Sequence, residues 1–185
     1  MNHKGTQYLD TERLVLRPFT KDDVESSYRN WTSDEKVVKY LRWQVHESID
    51  VTEKVLDCWI SDYAYPNKYQ WAIVLKDTNE VIGTISTVGM NENIDMVHIG
   101  YCIGSRWWNC GYVSEALNEI IRYFFEEVGV KRIEAYHDPF NGASGSVMQK
   151  CGMTYEGTLR QADWNNMGII DVCVYSVLAT DYFKF

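Results

Sequence analysis

Between Ile99 and Leu117 the chain reads as a strand that ends, a glycine turn, and a helix that starts at once. Ile99 to Ile103 has strand character, Gly111 permits a tight turn, and Leu117, Ile120, Ile121, Phe124 and Val128 recur at helical spacing. Gly129 then stands where a helix-terminating glycine belongs. Amides in the first turn of a helix lack internal partners and point into the turn before it. With the helix dipole behind them, they make a diphosphate site over Trp108, Asn109, Cys110, Gly111, Tyr112, Val113 and Ser114. A glycine there also serves any plain strand-to-helix connection, so this segment alone leaves both readings open. Two other phosphate loops are excluded, because the chain contains neither GxxxxGK followed by Ser or Thr nor GxGxxG.

The flanking patterns set the architecture. A strand is expected over about Arg13 to Arg17, then helices over about Thr20 to Asn30, Asp34 to Tyr40 and Asp50 to Asp62. Trp71 to Leu75, Val81 to Gly89 and Asp95 to Ile103 are separated by polar turns and form an antiparallel meander. After the long helix, Ile133 to Tyr136 reads as a strand, so the connection is a right-handed parallel crossover. A helix over about Ala143 to Cys151 and two strands around Asn165 to Gly168 complete the chain. The fold class is therefore α/β (α+β), with a mixed, mostly antiparallel central sheet and helices on both faces. No repeat or linker interrupts the 185 residues, and only three prolines occur, so a single domain over 1–185 is expected.

Composition narrows the function. A net charge of −8 opposes binding to phosphate backbones, so nucleic acid is not an expected partner. Five cysteines, an odd number without a CxxC pair, fit neither a disulfide framework nor a zinc site, and no metal is expected. A reducing cytoplasm suits them. The opening MNHKGTQYLD has no apolar run of the signal-peptide kind, and no stretch reaches the ~20 apolar residues of a membrane helix. Tyr182, Phe183 and Phe185 near the end raise the expectation of a partner surface, such as a homodimer.

A second segment adds a family. Asn141, Ser144, Lys150, Gly152 and Glu156-Gly157-Thr158-Leu159-Arg160 keep the places of an NxxSxxxxxKxGF…EGxLR pattern. Ile99-Gly100-Tyr101, Trp108, Gly111-Tyr112 and Glu115-Ala116-Leu117 resemble IGYxxxxxxWxxGYxxEAL. With Leu9 to Pro18, nearly the whole chain resembles the GCN5-related N-acetyltransferase superfamily, in the branch that acetylates ribosomal-protein N-termini. The loop departs from the superfamily's Q/R-x-x-G-x-G/A, holding Trp108, Gly111 and Val113 at those places, and Met153 replaces a common Phe.

The resemblance implies acetyl-CoA as co-substrate and a peptide N-terminus or small amine as acceptor. It implies a sheet splayed at the cofactor cleft, with pantetheine along Tyr101, Cys102 and Ile103 and the diphosphate on the Trp108–Ser114 loop. Asn141 would hydrogen-bond pantetheine, and Lys150 either neutralises phosphate or makes a surface ion pair. Many members carry a catalytic Tyr seven residues after the Asn; Met148 stands there instead. By resemblance Ser144 faces the sulfur, the alternative being a cap for its own helix turn. His98, where the family often has Glu, is a candidate base, or else a half-exposed strand residue; Glu156 competes for that role or is structural. A strand amide near Ile103 would meet the oxyanion. Cys110 has no evident His partner, which argues against a covalent route. Trp31, Tyr40, Trp43 and Trp164 are candidates to wall the acceptor pocket. The competing classes are a small-amine acetyltransferase, for a polyamine or aminoglycoside, and a non-catalytic acyl-CoA-binding sensor.

Overall fold

The computed structural model describes residues 1–184. Its strands are β1 (Leu9–Asp10), β2 (Leu14–Arg17), β3 (Gln70–Leu75), β4 (Val81–Asn91), β5 (Met96–Ile103), β6 (Arg132–His137), β7 (Thr154–Asn165) and β8 (Gly168–Leu178). They form one eight-stranded sheet in the order β1-β2-β3-β4-β5-β6-β8-β7. Every neighbouring pair is antiparallel except β5 and β6. The parallel crossover between those two is made by α4 (Tyr112–Tyr123) and a π-helical turn, Phe124–Val128, ended by Gly129 at φ +77°. The expected mixed sheet is thus present.

Helices cover both faces, and β3 shows why. Trp71, Ile73 and Leu75 point into a large core with Leu117, Ile120 and Phe124 of the crossover. Ala72 and Val74 point the other way, into a smaller core with Phe19, Trp31 and Leu56. Alternate side chains along a strand face opposite sides, so a run that is apolar at every position needs cover on both. The smaller core is capped by α3 (Ile49–Asp62) and by a helical run in which α1 (Val24–Ser27) is flanked by a 3-10 turn, Lys21–Asp23, and a π turn, Tyr28–Thr32. α2 (Glu35–Val38) is shorter than the pattern predicts. The remaining helices are α5 (Gly142–Lys150) and α6 (Ala179–Tyr182). β1 and α6 have too few residues to show a period and are not read from the sequence.

The pairing of β5 with β6 is short. It covers Met96–Arg132, Val97–Ile133 and His98–Glu134 and then stops, although β5 runs on to Ile103 and β6 to His137. The expected splay therefore opens after His98.

Tyr182 packs against its own chain. Its ring lies 5.1 Å from that of Phe125 and its hydroxyl donates to Glu126. Phe183 is exposed. Phe185 lies outside the described residues. Among the described residues no helix is long and apolar enough to cross a membrane.

Candidate active site

The splay opens into a cleft of about 640 Å³ between β5, the start of α4 and the start of α5. Tyr101, Cys102, Ile103, Trp108, Asn109, Gly111, Tyr112, Val113, Ser114, Asn141, Ser144 and Lys150 line it, and so does Tyr40. Sequence reasoning missed Lys36, Val37, Leu41 and Phe140, which form a further part of the wall. Lys36 and Val37 belong to a one-turn helix and Leu41 and Phe140 to connecting segments, all too short for a periodicity to mark a buried face.

The turn before α4 is built for an anion. Asn109 at φ +61° and Gly111 at φ +81° are both left-handed, which turns successive amides inward. The first backbone bond of the helix runs from the Glu115 amide to the Gly111 carbonyl. Among the described residues the amides of Cys110 to Ser114 have no protein acceptor, and Gly111 supplies no side-chain cap. Arg13, 97 residues away, holds the turn from behind. Its Nη1 donates to the Cys110 carbonyl at 3.0 Å, its Nε to Glu115 at 2.7 Å, and its guanidinium lies 4.4 Å from the Tyr112 ring centre. The bond to Glu115 raises the Arg13 pKa, so this brace stays charged. Trp108 donates its indole N–H to the Ile103 carbonyl at 3.0 Å and serves the turn as a spacer. Lys150 forms no ion pair among the described residues.

Ser144 lies in the first turn of α5, with Asn141 as the N-cap residue. The Asn141 side chain makes no capping bond. The hydroxyl of Ser144 is 3.0 Å from the Tyr101 hydroxyl, which spans from β5 to α5. Met148, at the place of the missing tyrosine, is buried in the large core.

His98 is on the other side. Strand alternation puts it on the sheet face opposite Tyr101. It is the last residue paired with β6, across from Glu134, and its ring centre is 4.1 Å from that of Tyr136. Burial lowers its pKa, partly offset by Glu134. The imidazole is therefore neutral near pH 7 and able to accept a proton. Glu156 does not suit that task. Arg132 grips it at 2.8 and 2.5 Å and Ser176 donates to it, which hold its pKa down at about 2. It works as a strand-to-strand brace.

The aromatic candidates separate. Tyr40 reaches the cleft, where its hydroxyl donates to the Phe140 carbonyl at 3.2 Å. Trp31 does not: it is 1% exposed in the smaller core, stacked on Trp59. Trp43 packs edge-on against Trp31 at 6.0 Å and away from the cleft. Both are spent on packing because a large flat ring is the cheapest way to fill the space under α3. Trp164 is 53% exposed on β7, with the Arg42 guanidinium 5.9 Å from its ring. Cys110 is exposed outside the cleft lining, and among the described residues its thiol bonds only the Trp108 carbonyl. Burial pushes the Cys102 thiol up to about 12, which leaves it inert. No group of three or more His, Cys, Asp or Glu side chains is arranged for a metal among the described residues.

A latch ties the segment that carries Leu41, on the cleft wall, to the β7–β8 hairpin. The Asn166 side-chain amide donates to the carbonyls of Val38 and Trp43, and its backbone amide to that of Leu41. Gln44 donates to Asn166, and Arg42 pairs with Asp163. The tip of the β7–β8 hairpin is thereby fixed to the segment after α2.

Comparison with known proteins gives the chain its relatives. The Acetyltransferase (GNAT) domain family matches residues 13–154. An uncharacterized N-acetyltransferase, YoaA of Bacillus subtilis, is 32% identical over 92% of this chain and 96% of its own length. The [ribosomal protein uS5]-alanine N-acetyltransferase of Escherichia coli is 32% identical over 44% of this chain and 42% of its own. A crystal structure of a GNAT-family acetyltransferase from Bacillus anthracis superposes with a TM-score of 0.83 at 26% identity, covering 94% of this chain and 99% of that one.

Proposed function

This chain belongs to the GNAT acetyltransferase family, and from that premise we propose that it carries an acetyl group from acetyl-CoA to the α-amine of a protein N-terminus. The observation that carries the donor half is the set of unpartnered amides from Cys110 to Ser114. They offer a diphosphate several donors and the positive end of α4, with Lys150 on the cleft wall as a cation. The edge of β5 beyond His98, unpaired with β6, offers the amide-bearing pantetheine arm the backbone groups of Tyr101, the Ile103 carbonyl being taken by Trp108. Asn141, with its side chain uncommitted, is placed to bond that arm.

The gap between β5 and β6 joins the two sheet faces. A donor threaded through it meets Ser144 on the α5 face, while His98, the last residue paired with β6, faces the opposite side and is outside the cleft lining. His98 then accepts a proton from the amine, directly or through water, as the amine attacks the thioester carbonyl. The C–S bond breaks with its electron pair on sulfur, and the Ser144 hydroxyl donates a hydrogen bond to the thiolate. A thiol pKa near ~8.5 means that sulfur leaves with modest help. The acceptor matters more. At pH 7 a lysine amine lies about 3.4 units below its pKa, roughly 4.6 kcal/mol, whereas an α-amine lies within about 1 unit. A buried neutral imidazole is a weak base and suits the α-amine. The partial likeness to an enzyme acting on a protein's alanine supports the same acceptor.

The test is a thiol-release screen with acetyl-CoA against peptides with free N-termini, polyamines and aminoglycosides, run beside calorimetry with coenzyme A. Release with peptides supports the proposal. Release with small amines alone replaces the acceptor. Binding heat without release for any amine points to a sensor, and absence of heat removes the donor site.

A further inference from the structure

Once the Trp108–Ser114 loop, the β5 edge, Asn141 and Lys150 are given to the donor, one wall of the cleft has no task. It is made by Lys36, Val37, Tyr40 and Leu41, from α2 and the turn after it, together with Phe140. Exposure alone says little about an aromatic side chain. At Phe140 a bare ring sits on a fixed backbone: the residue is 83% exposed, lines the cleft and packs in neither core. Its amide donates to Asp138 Oδ1 at 2.8 Å, and its carbonyl accepts from the Tyr40 hydroxyl at 3.2 Å. Asp138 is itself buried and accepts from the Asn165 side-chain amide at 2.8 Å. A ring held out on a rigid turn gives up little freedom when something packs on it. Val37, 7% exposed, and the half-buried Tyr40 and Leu41 continue the apolar surface. Charge in the cleft is one-sided. Among the described residues that line it, the charged side chains are Lys36 and Lys150, and no carboxylate is present, although the chain as a whole carries a net charge of −8.

From this wall we infer the class of acceptor, given the acetyl-transfer reading above: an α-amine whose own side chain is apolar and lies against Phe140, Val37, Tyr40 and Leu41, with Lys36 set against polycationic amines. A first residue such as leucine or phenylalanine takes apolar surface out of water on both sides of that contact. Glycine leaves the Phe140 ring wet. A polyamine or aminoglycoside brings a further ammonium, which finds no carboxylate in the cleft lining and meets a lysine instead. Shape and charge therefore sort acceptors in the same direction.

The test uses the full chain, acetyl-CoA and short peptides alike except for a first residue of leucine, phenylalanine, glycine or lysine, with spermidine beside them. The kcat/KM is expected to be at least about tenfold higher for leucine or phenylalanine than for glycine, and lowest for spermidine. Phe140→Ala is expected to bring the leucine-to-glycine ratio below about twofold and Phe140→Leu to keep most of it, with coenzyme A affinity by calorimetry changed less than about twofold in both. Lys36→Glu is expected to raise kcat/KM for spermidine relative to the leucine peptide. The same peptides are also titrated into the coenzyme A complex, a binding readout that needs no turnover. Absence of turnover with every amine defeats the transfer reading, whereas equal affinity for the leucine and glycine peptides defeats the inference. It is also overturned if spermidine or the glycine peptide is the best acceptor, if Phe140→Ala keeps the ratio, or if that change weakens coenzyme A binding in the same proportion.

Discussion

The proposed donor half of the site and the proposed acceptor half are built by opposite means. The donor half uses backbone: left-handed residues at Asn109 and Gly111, free amides before α4, and the unpaired edge of β5. Most of it lies within one continuous stretch from Tyr101 to Ser114. The acceptor half uses side chains that meet across the chain, as Asn166 meets the carbonyls of Val38 and Trp43 at separations of 128 and 123 residues. The difference explains why the loop carries Trp108 and Val113 at family positions that hold other residues. Amides bind whatever side chains are attached, provided that the dihedral angles survive. The acceptor half has less tolerance, because the carbonyls of Val38 and Trp43 are both held by the one Asn166 side-chain amide.

The largest expected effect tests the junction between the halves. Ser144→Ala removes one donor to the leaving group and should lower kcat about 100-fold, with coenzyme A affinity kept, as read by steady-state kinetics and calorimetry. Unchanged turnover would strip Ser144 of its role. Next is a purely backbone change. Gly111→Val forces a β-branched residue into φ +81°, at a cost on the order of 1–2 kcal/mol or more, and coenzyme A affinity should fall at least about tenfold. Retained affinity would mean that the donor half does not depend on that dihedral.

Asn166→Ala sharpens the comparison from the acceptor side. It deletes the side-chain bonds to Val38 and Trp43, at about 1 kcal/mol each, so acceptor KM should rise about tenfold with coenzyme A affinity unchanged. Equal damage to both would show that the halves are not separable. The smallest effect concerns His98. With an α-amine acceptor, replacing the base should cost less than about tenfold at pH 7, since the amine lies within about 1 unit of its pKa. The pH profile is the better readout. Burial places the His98 pKa below its ordinary value, so the acid limb of kcat/KM should lie below pH 6.5 and vanish in His98→Gln. The same shift has a sign for stability. The unfolded chain takes up the proton at higher pH than the folded one, so the contribution is intact above about pH 6.5 and is lost as pH falls through the folded value. His46, buried against Thr52, shifts in the same direction and adds to the acid lability in thermal melts.

The two halves also differ in how far they could be read from residues. The meander, the crossover helix and the Gly111 turn follow from local periodicity and glycine placement, and the structure has them where they are expected. The splay was reached only through family resemblance, since Met96 to Ile103 has the same strand character on both sides of His98. Arg13 is legible as the start of a strand but not as the brace of a turn 97 residues later. Trp31 failed as a pocket residue for a related reason. Aromatic character marks burial and binding alike, and the stack on Trp59 that decides between them is a tertiary contact.

The short ladder between β5 and β6 has a mechanical consequence. Three register positions join a plate of five strands to a plate of three. Those positions are where the two plates part and the gap begins, and the Arg132 brace linking Glu134 to Glu156 ties strands of one plate together. A substitution at this seam is therefore expected to alter both sides of the gap together while touching neither ligand.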